Sequence, residues 1–141
     1  MNELIALLNA YVESDPRLEI WRNYPDINDE DDVYTDSWAC EQVSAEFAAF
    51  ARSNGWDAVV LRGENPEAPM AFDHVWVRLT RDGVVSDVDW TARQFHNLHD
   101  PDGHDPAVLA LPWPLAWDPS AIAPEDHLIV GQYATVSKEG Q

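Results

Sequence analysis

The sequence predicts an α+β domain, with N-terminal helices packed on a small antiparallel sheet. Three observations lead there. Apolar residues recur at helical intervals near the start; residues 38–54 form an Ala-, Glu- and Phe-rich stretch closed by a glycine; and from residue 57 the pattern alternates around an Asp82-Gly83 turn.

The first element is an amphipathic helix. Leu4, Ile5, Leu8, Tyr11 and Val12 recur three and four residues apart, polar residues fill the other positions, and Asp15-Pro16 ends it. A short apolar-aromatic piece runs from Leu18 to Tyr24, followed by an acidic run. There Asp26, Asn28, Glu30 and Asp32 have the spacing of a calcium loop, but glycine is missing at the sixth position and Ser37 stands where a bidentate Glu should close it. A solvated loop is expected. The next helix takes Ser37 as N-cap, spans Trp38 to Asn54 and stops at Gly55 in the left-handed position. Its apolar stripe is Cys40, Val43, Phe47, Phe50 and Ala51, so the thiol lies on the buried face in the first turn, at the positive end of the helix dipole.

Strands are expected over 57–62, 72–80 and 84–90, with a loop over 63–70 and the Asp82-Gly83 turn joining the last two. Beyond Phe95 six prolines fall between positions 101 and 124, which predicts an irregular Pro/Trp-rich wrapping segment over 96–126. A last strand is expected within 127–136, and a frayed end over 137–141. All 141 residues fit one domain.

Charge narrows the function classes. Lys and Arg together number 8 against 26 Asp and Glu, a formal charge of −18, so direct binding to nucleic acid or an anionic membrane is not expected. No apolar run approaches the ~18 residues of a membrane span, and the N-terminus carries acids where a signal peptide needs positive charge, which makes the cytoplasm the expected compartment. A lone cysteine, Cys40, forms neither an internal disulfide nor a thiolate zinc site by itself. His96, His99 and His104 with Asp100, Asp102 and Asp105 have the side chains of a zinc or nickel site but not helical His-x-x-x-His spacing, and a polar surface loop is expected. No metal and no cofactor is expected.

A nucleophilic thiol needs a base within reach and an acid to orient that base. Cys40, His74 and Asp89 fit those roles. His74 shares a strand face with Phe72, Trp76 and Arg78, while Val85, Asp87 and Asp89 share one on the return strand. With a two-residue turn, paired positions sum to 165, so Arg78 faces Asp87, Trp76 faces Asp89, and Asp89 becomes a diagonal neighbour of His74. A three-residue turn would remove both acids from His74. The competing reading of Cys40, among Phe47 and Phe50, is a buried structural cysteine.

The run Cys40-Glu-Gln-Val-Ser-Ala-Glu-Phe-Ala-Ala-Phe-Ala-Arg-Ser-Asn-Gly55, then Ala58-Val-Val-Leu-Arg-Gly63, His74-Val-Trp-Val77 and Asp87-Val-Asp-Trp-Thr91 resembles the core of the transglutaminase-like cysteine enzymes of the papain-like superfamily, in particular small bacterial and phage-type members. The likeness covers about residues 38–95. It implies Cys40 as nucleophile, His74 as base and Asp89 as acid. The Ser-Trp-Ala-Cys-Glu context departs from the Asp-Cys-Ser-Gly of related cell-wall peptidases, which counts against peptidoglycan hydrolysis. Candidate oxyanion or substrate contacts are the Cys40 amide, Trp38, Gln42 and Tyr34, with Trp76 at a cleft rim.

Two functions follow as expectations. One is a cysteine amidohydrolase or acyltransferase, a peptidase, Gln deamidase or transglutaminase-like enzyme, working through a thioester on a neutral or cationic protein or peptide amide. The other is a non-enzymatic acidic binding or inhibitor protein, a nucleic-acid mimic, on a degenerate enzyme fold.

Overall fold

The computed structural model describes residues 2–25, 38–66, 72–100, 102–133 and 135–139. The calcium-like spacing, the Ser37 cap and Tyr34 lie outside them. Among the described residues, helices α1 (Asn2–Ser14), α2 (Glu19–Asn23), α3 (Cys40–Ser53) and α4 (Pro106–Leu109) accompany strands β1 (Asp57–Asn65), β2 (Phe72–Arg81), β3 (Val84–Asp89), β4 (Leu115–Trp117) and β5 (Thr135–Lys138). The strands form one antiparallel sheet in the order β4-β3-β2-β1-β5, which makes the chain α+β as expected. No helix among these residues is long and apolar enough to cross a membrane.

The alternation of β2 explains the layering. Val77 and Leu79, with Ala58 of β1 and Val88 of β3, meet α1 and α3 in a core that includes Leu4, Leu7, Tyr11, Val43, Phe47 and Ala51. His74 and Trp76 point to the other face, where the 92–133 segment covers them with Phe95, Trp117 and Tyr133. A second apolar cluster of Ala92, Phe95, Leu98, Val108, Leu115 and Ile129 holds that segment down.

Several boundaries differ from expectation for identifiable reasons. Helix α3 starts at Cys40, two residues later than Trp38, because Ala39 is the extended N-cap and supplies no side-chain bond. It ends as expected: Gly55 sits at φ +87°, and the amides of Gly55 and Trp56 bond the carbonyls of Arg52 and Ala51. Residues 18–24, unassigned in the sequence, contain α2. Strand β1 continues through Gly63 to Asn65, and the wrapping segment adds β4 as an edge strand between Pro114 and Pro119, where prolines do no harm to the ladder. The expected strand over 127–136 is displaced to Thr135–Lys138 because the His127 ring accepts the amides of Ile129 (3.2 Å) and Val130 (3.0 Å) and bends the chain into a turn. Ser137 and Lys138 therefore pair with β1 rather than fray, and the Glu139 amide bonds the Val60 carbonyl at 2.8 Å.

Candidate active site

The hairpin sets the site. Asp82 (φ 54°) and Gly83 (φ 79°) form a two-residue turn with both central residues left-handed, and Arg78 pairs with Asp87 and Val77 with Val88, as the sequence predicts. Asp87 and Asp89 then share the face of His74 and Trp76, and their environments separate them. Asp87 receives Arg78 on both oxygens (Nε to Oδ1 2.7 Å, Nη2 to Oδ2 3.0 Å) and the Trp76 indole N–H at 3.0 Å. Asp89 lies 2.7 Å from His74 Nε2 through Oδ2, and its Oδ1 accepts the Thr91 amide at 2.9 Å. His74 is 1% and Asp89 2% exposed, so water does not screen the pair.

Aromatic groups wall the imidazole. Phe95 meets it edge-on at 4.6 Å, and Trp76 and Tyr133 lie nearly parallel to it at 6.1 and 6.4 Å. Tyr133 comes this close because Gly63, the β1 partner of His74, has no side chain: a Cβ there would stand 2.4 Å from the Tyr133 ring. Burial alone drives His74 toward neutrality. The Asp89 carboxylate, by charge and hydrogen bond, and Cys40 outweigh it and push the ring up to about 9 from 6.5. With Nε2 on Asp89, the ring's Nδ1 is buried with no partner at bonding distance among the described residues, and Cys40 adds to the upward push on the ring.

Cys40 is half-buried at the first position of α3. The first helical bond runs from the Val43 amide to the Ala39 carbonyl (3.0 Å), so the N–H groups of Cys40, Glu41 and Gln42 have no acceptor within the helix. One turn on, buried Ser44 donates its hydroxyl to the Val75 carbonyl at 3.2 Å, fixing the helix against the residue after His74. Arg62 ties together Glu41 and Asp73, the neighbours of Cys40 and His74, and also holds Glu139.

The structure thus brings Cys40, His74 and Asp89 together and commits the indole N–H groups of two other candidates to carboxylates. The Trp38 N–H is committed to the Glu46 carboxylate and its ring lies under Arg17 at 4.1 Å; the Trp76 N–H is committed to Asp87. The Trp38 indole is therefore not free to donate to an oxyanion, and Trp76, 1% exposed beneath Trp117 and Tyr133, does not stand at a cleft rim, both corrections to the sequence reading; Gln42 stands exposed at the third helical position. Sequence reasoning missed Ser44, Tyr133 and Arg62. Ser44 was visible as a polar residue on the apolar stripe four positions after Cys40, and Gly63 as a strand glycine marking a close approach.

The histidine-rich loop serves the fold. Asp105 caps α4 through the Ala107 amide (2.9 Å) and holds His99 Nδ1 at 2.6 Å, while His96 and His104 meet edge-to-face. No group of three or more His, Cys, Asp or Glu that could hold a metal ion occurs among the described residues.

No family model and no curated protein matches the chain. A solved structure, the catalytic domain of the Salmonella virulence factor SseI, is similar at 19% identity and a TM-score of 0.42, over 75% of this chain and 59% of that one, a likeness too loose to carry any residue across.

Proposed function

We propose that this protein is a cysteine-dependent amidohydrolase or acyltransferase that forms a thioester with a protein or peptide amide. Cys40 is the nucleophile, His74 the general acid and base, and Asp89 the group that orients and charges His74. The observation that carries this reading is the buried Asp89–His74 pair at 2.7 Å, which leaves Nδ1 as the one ring nitrogen available to Cys40 at a helix start.

The chemistry follows from that geometry. The Cys40 thiolate, opposite the His74 imidazolium and the positive end of α3, attacks the carbonyl carbon, and the π electrons move onto oxygen. The Cys40 amide, which has no acceptor within the helix, supports the oxyanion. As the tetrahedral intermediate collapses, the Nδ1 proton passes to the departing nitrogen, the C–N bond breaks and a thioester remains. Nδ1 then takes a proton from water, which attacks and releases acid, or from an amine, which gives a new amide. The −18 charge favours neutral or cationic substrates. A purely binding, nucleic-acid-mimicking role is less well supported, because it gives no reason for the buried Asp89–His74 pair beside Cys40.

Iodoacetamide labelling tests the reading without a substrate. Cys40 of the native protein is expected to label near neutral pH about tenfold or more faster than a free cysteine peptide, with the advantage lost in His74→Ala. Labelling that appears only on unfolding overturns the proposal and leaves Cys40 a structural residue.

A further inference from the structure

Helix α1 carries more apolar surface than the core uses. Leu4, Leu7 and Tyr11 are buried, but Ile5, on the same apolar arc, is 51% exposed. At the hairpin tip Val84 is 65% exposed. These are two of the four large exposed hydrophobics among the described residues, and both line one groove of about 390 Å³ between α1, the start of β3 and the end of β4. Leu4, Leu8, Trp56 and Ala116 add to its apolar lining, and its size falls in the ~300–1,000 Å³ range of sites that bury a bound group. At ~3.3 Å per strand residue the hairpin tip stands about 26 Å from His74, and the groove opens on the α1 face of the sheet, opposite the face that carries His74 and Trp76, so it is separate from the thiol site.

The rim decides what fits. Glu3, Asp82 and Asp118 border the groove with a single cation, Arg81, which is already engaged by Glu3 at 3.8 Å and lies over the Trp56 ring at 5.1 Å. Hydrogen bonds from Ser120 hold Asp118 below the usual carboxylate range, so it stays charged. Neither Asp82 nor Asp118 has an ion-pair partner among the described residues. An apolar floor with a carboxylate rim selects an apolar segment flanked by cations. A second copy would bring another −18 and an identical acidic rim against it, and anionic lipid and nucleic acid are repelled in the same way.

We propose that this groove docks a basic amphipathic segment of a partner protein, its apolar side chains on Ile5, Leu8 and Val84 and its Lys or Arg side chains on Asp82 and Asp118. The proposal is independent of the thiol chemistry and its test reads binding alone. The probe is a synthetic amphipathic helix of Leu and Lys, titrated calorimetrically into the full chain carrying Cys40→Ala. Replacing Ile5 and Val84 together by Ser alters no charge and touches only exposed side chains; it is expected to weaken binding at least about tenfold. Glu125→Gln with Asp126→Asn, outside the groove, is expected to change it less than about twofold. Equal weakening by both pairs, or no loss in the Ser variant, reduces the interaction to diffuse charge attraction and overturns the proposal. So does an absence of binding, or sedimentation showing wild-type dimers that the Ser variant abolishes, which assigns the groove to a second copy.

Discussion

The charged state of His74 has a measurable consequence for stability. Its folded value of about 9 lies above the ordinary 6.5 because Asp89 and Cys40 outweigh the burial that opposes them. A group raised on folding stabilises the native state fully below its unfolded value and loses that contribution as pH rises through the folded value. The window is therefore about 6.5 to 9. At ~1.36 kcal/mol per pH unit, the rise amounts to about 3 kcal/mol, present on the acid side and gone on the alkaline side. Burial holds His127 and, together with His104, His96 below the ordinary value, so those groups act as pH falls through 6.5 and below and leave the window to His74. The assay is urea unfolding at a series of pH values for wild type, His74→Gln and Asp89→Asn. The wild-type minus His74→Gln difference isolates the His74 contribution and should fall by about 3 kcal/mol across the window. Asp89→Asn keeps an acceptor near Nε2 but removes the charge, so its curve should lose most of that slope. A difference that stays flat between about pH 6.5 and 9 would refute the claim that His74 is held as an imidazolium.

Further outcomes are specific to single contacts. Asp89→Asn should slow Cys40 labelling near neutral pH by about tenfold or more, while Asp87→Asn should leave labelling within about threefold yet cost the fold about 1–3 kcal/mol through its Trp76 and Arg78 bonds; equal effects on labelling would contradict the division of roles. Gly63→Ala drives a Cβ into the Tyr133 ring and should destabilise by about 1–3 kcal/mol in urea titration, with much of the loss recovered when Tyr133→Ala is added, since the two share one clash. Ser44→Ala removes the hydroxyl that ties α3 to the Val75 carbonyl and should cost about 1 kcal/mol; an unchanged urea midpoint would show that the bond does not hold the helix.

What was legible in the sequence was local and periodic. A two-residue Asp82-Gly83 turn has one good geometry, so the β2–β3 register and the placing of Asp89 by His74 followed from it. Gly55 marked the end of α3 for the same kind of reason. Its start was less legible, because no cap side chain punctuates it and Ala39 gives no signal. The indoles were illegible in another way. Where an N–H goes depends on which acceptor the fold brings near, and Trp38 found Glu46 two turns along α3 while Trp76 found an oxygen of Asp87 that Arg78 also uses. His127 likewise turned a β-rich run into a bend by accepting two amides, a tertiary choice that alternation does not encode.

The two buried carboxylates show why the sequence carried the site further than it carried the rest. Asp87 and Asp89 are two residues apart on one strand face, 1% and 2% exposed, and a lone buried carboxylate is costly enough that each needs a cation. Arg78, directly opposite Asp87, satisfies it with two hydrogen bonds. Asp89 has no such partner across the ladder, and the cation within its reach is the imidazolium of His74. Arg78 thus does more than stabilise the hairpin: by occupying Asp87 it leaves Asp89 as the carboxylate that pairs with and charges His74. In the proposed mechanism that charge makes Nδ1 a proton donor rather than an acceptor. The assignment of roles therefore rests on one Arg–Asp pair whose register the Asp82-Gly83 turn dictates, and a single-residue slip there would exchange the strand's faces and dissolve the constellation.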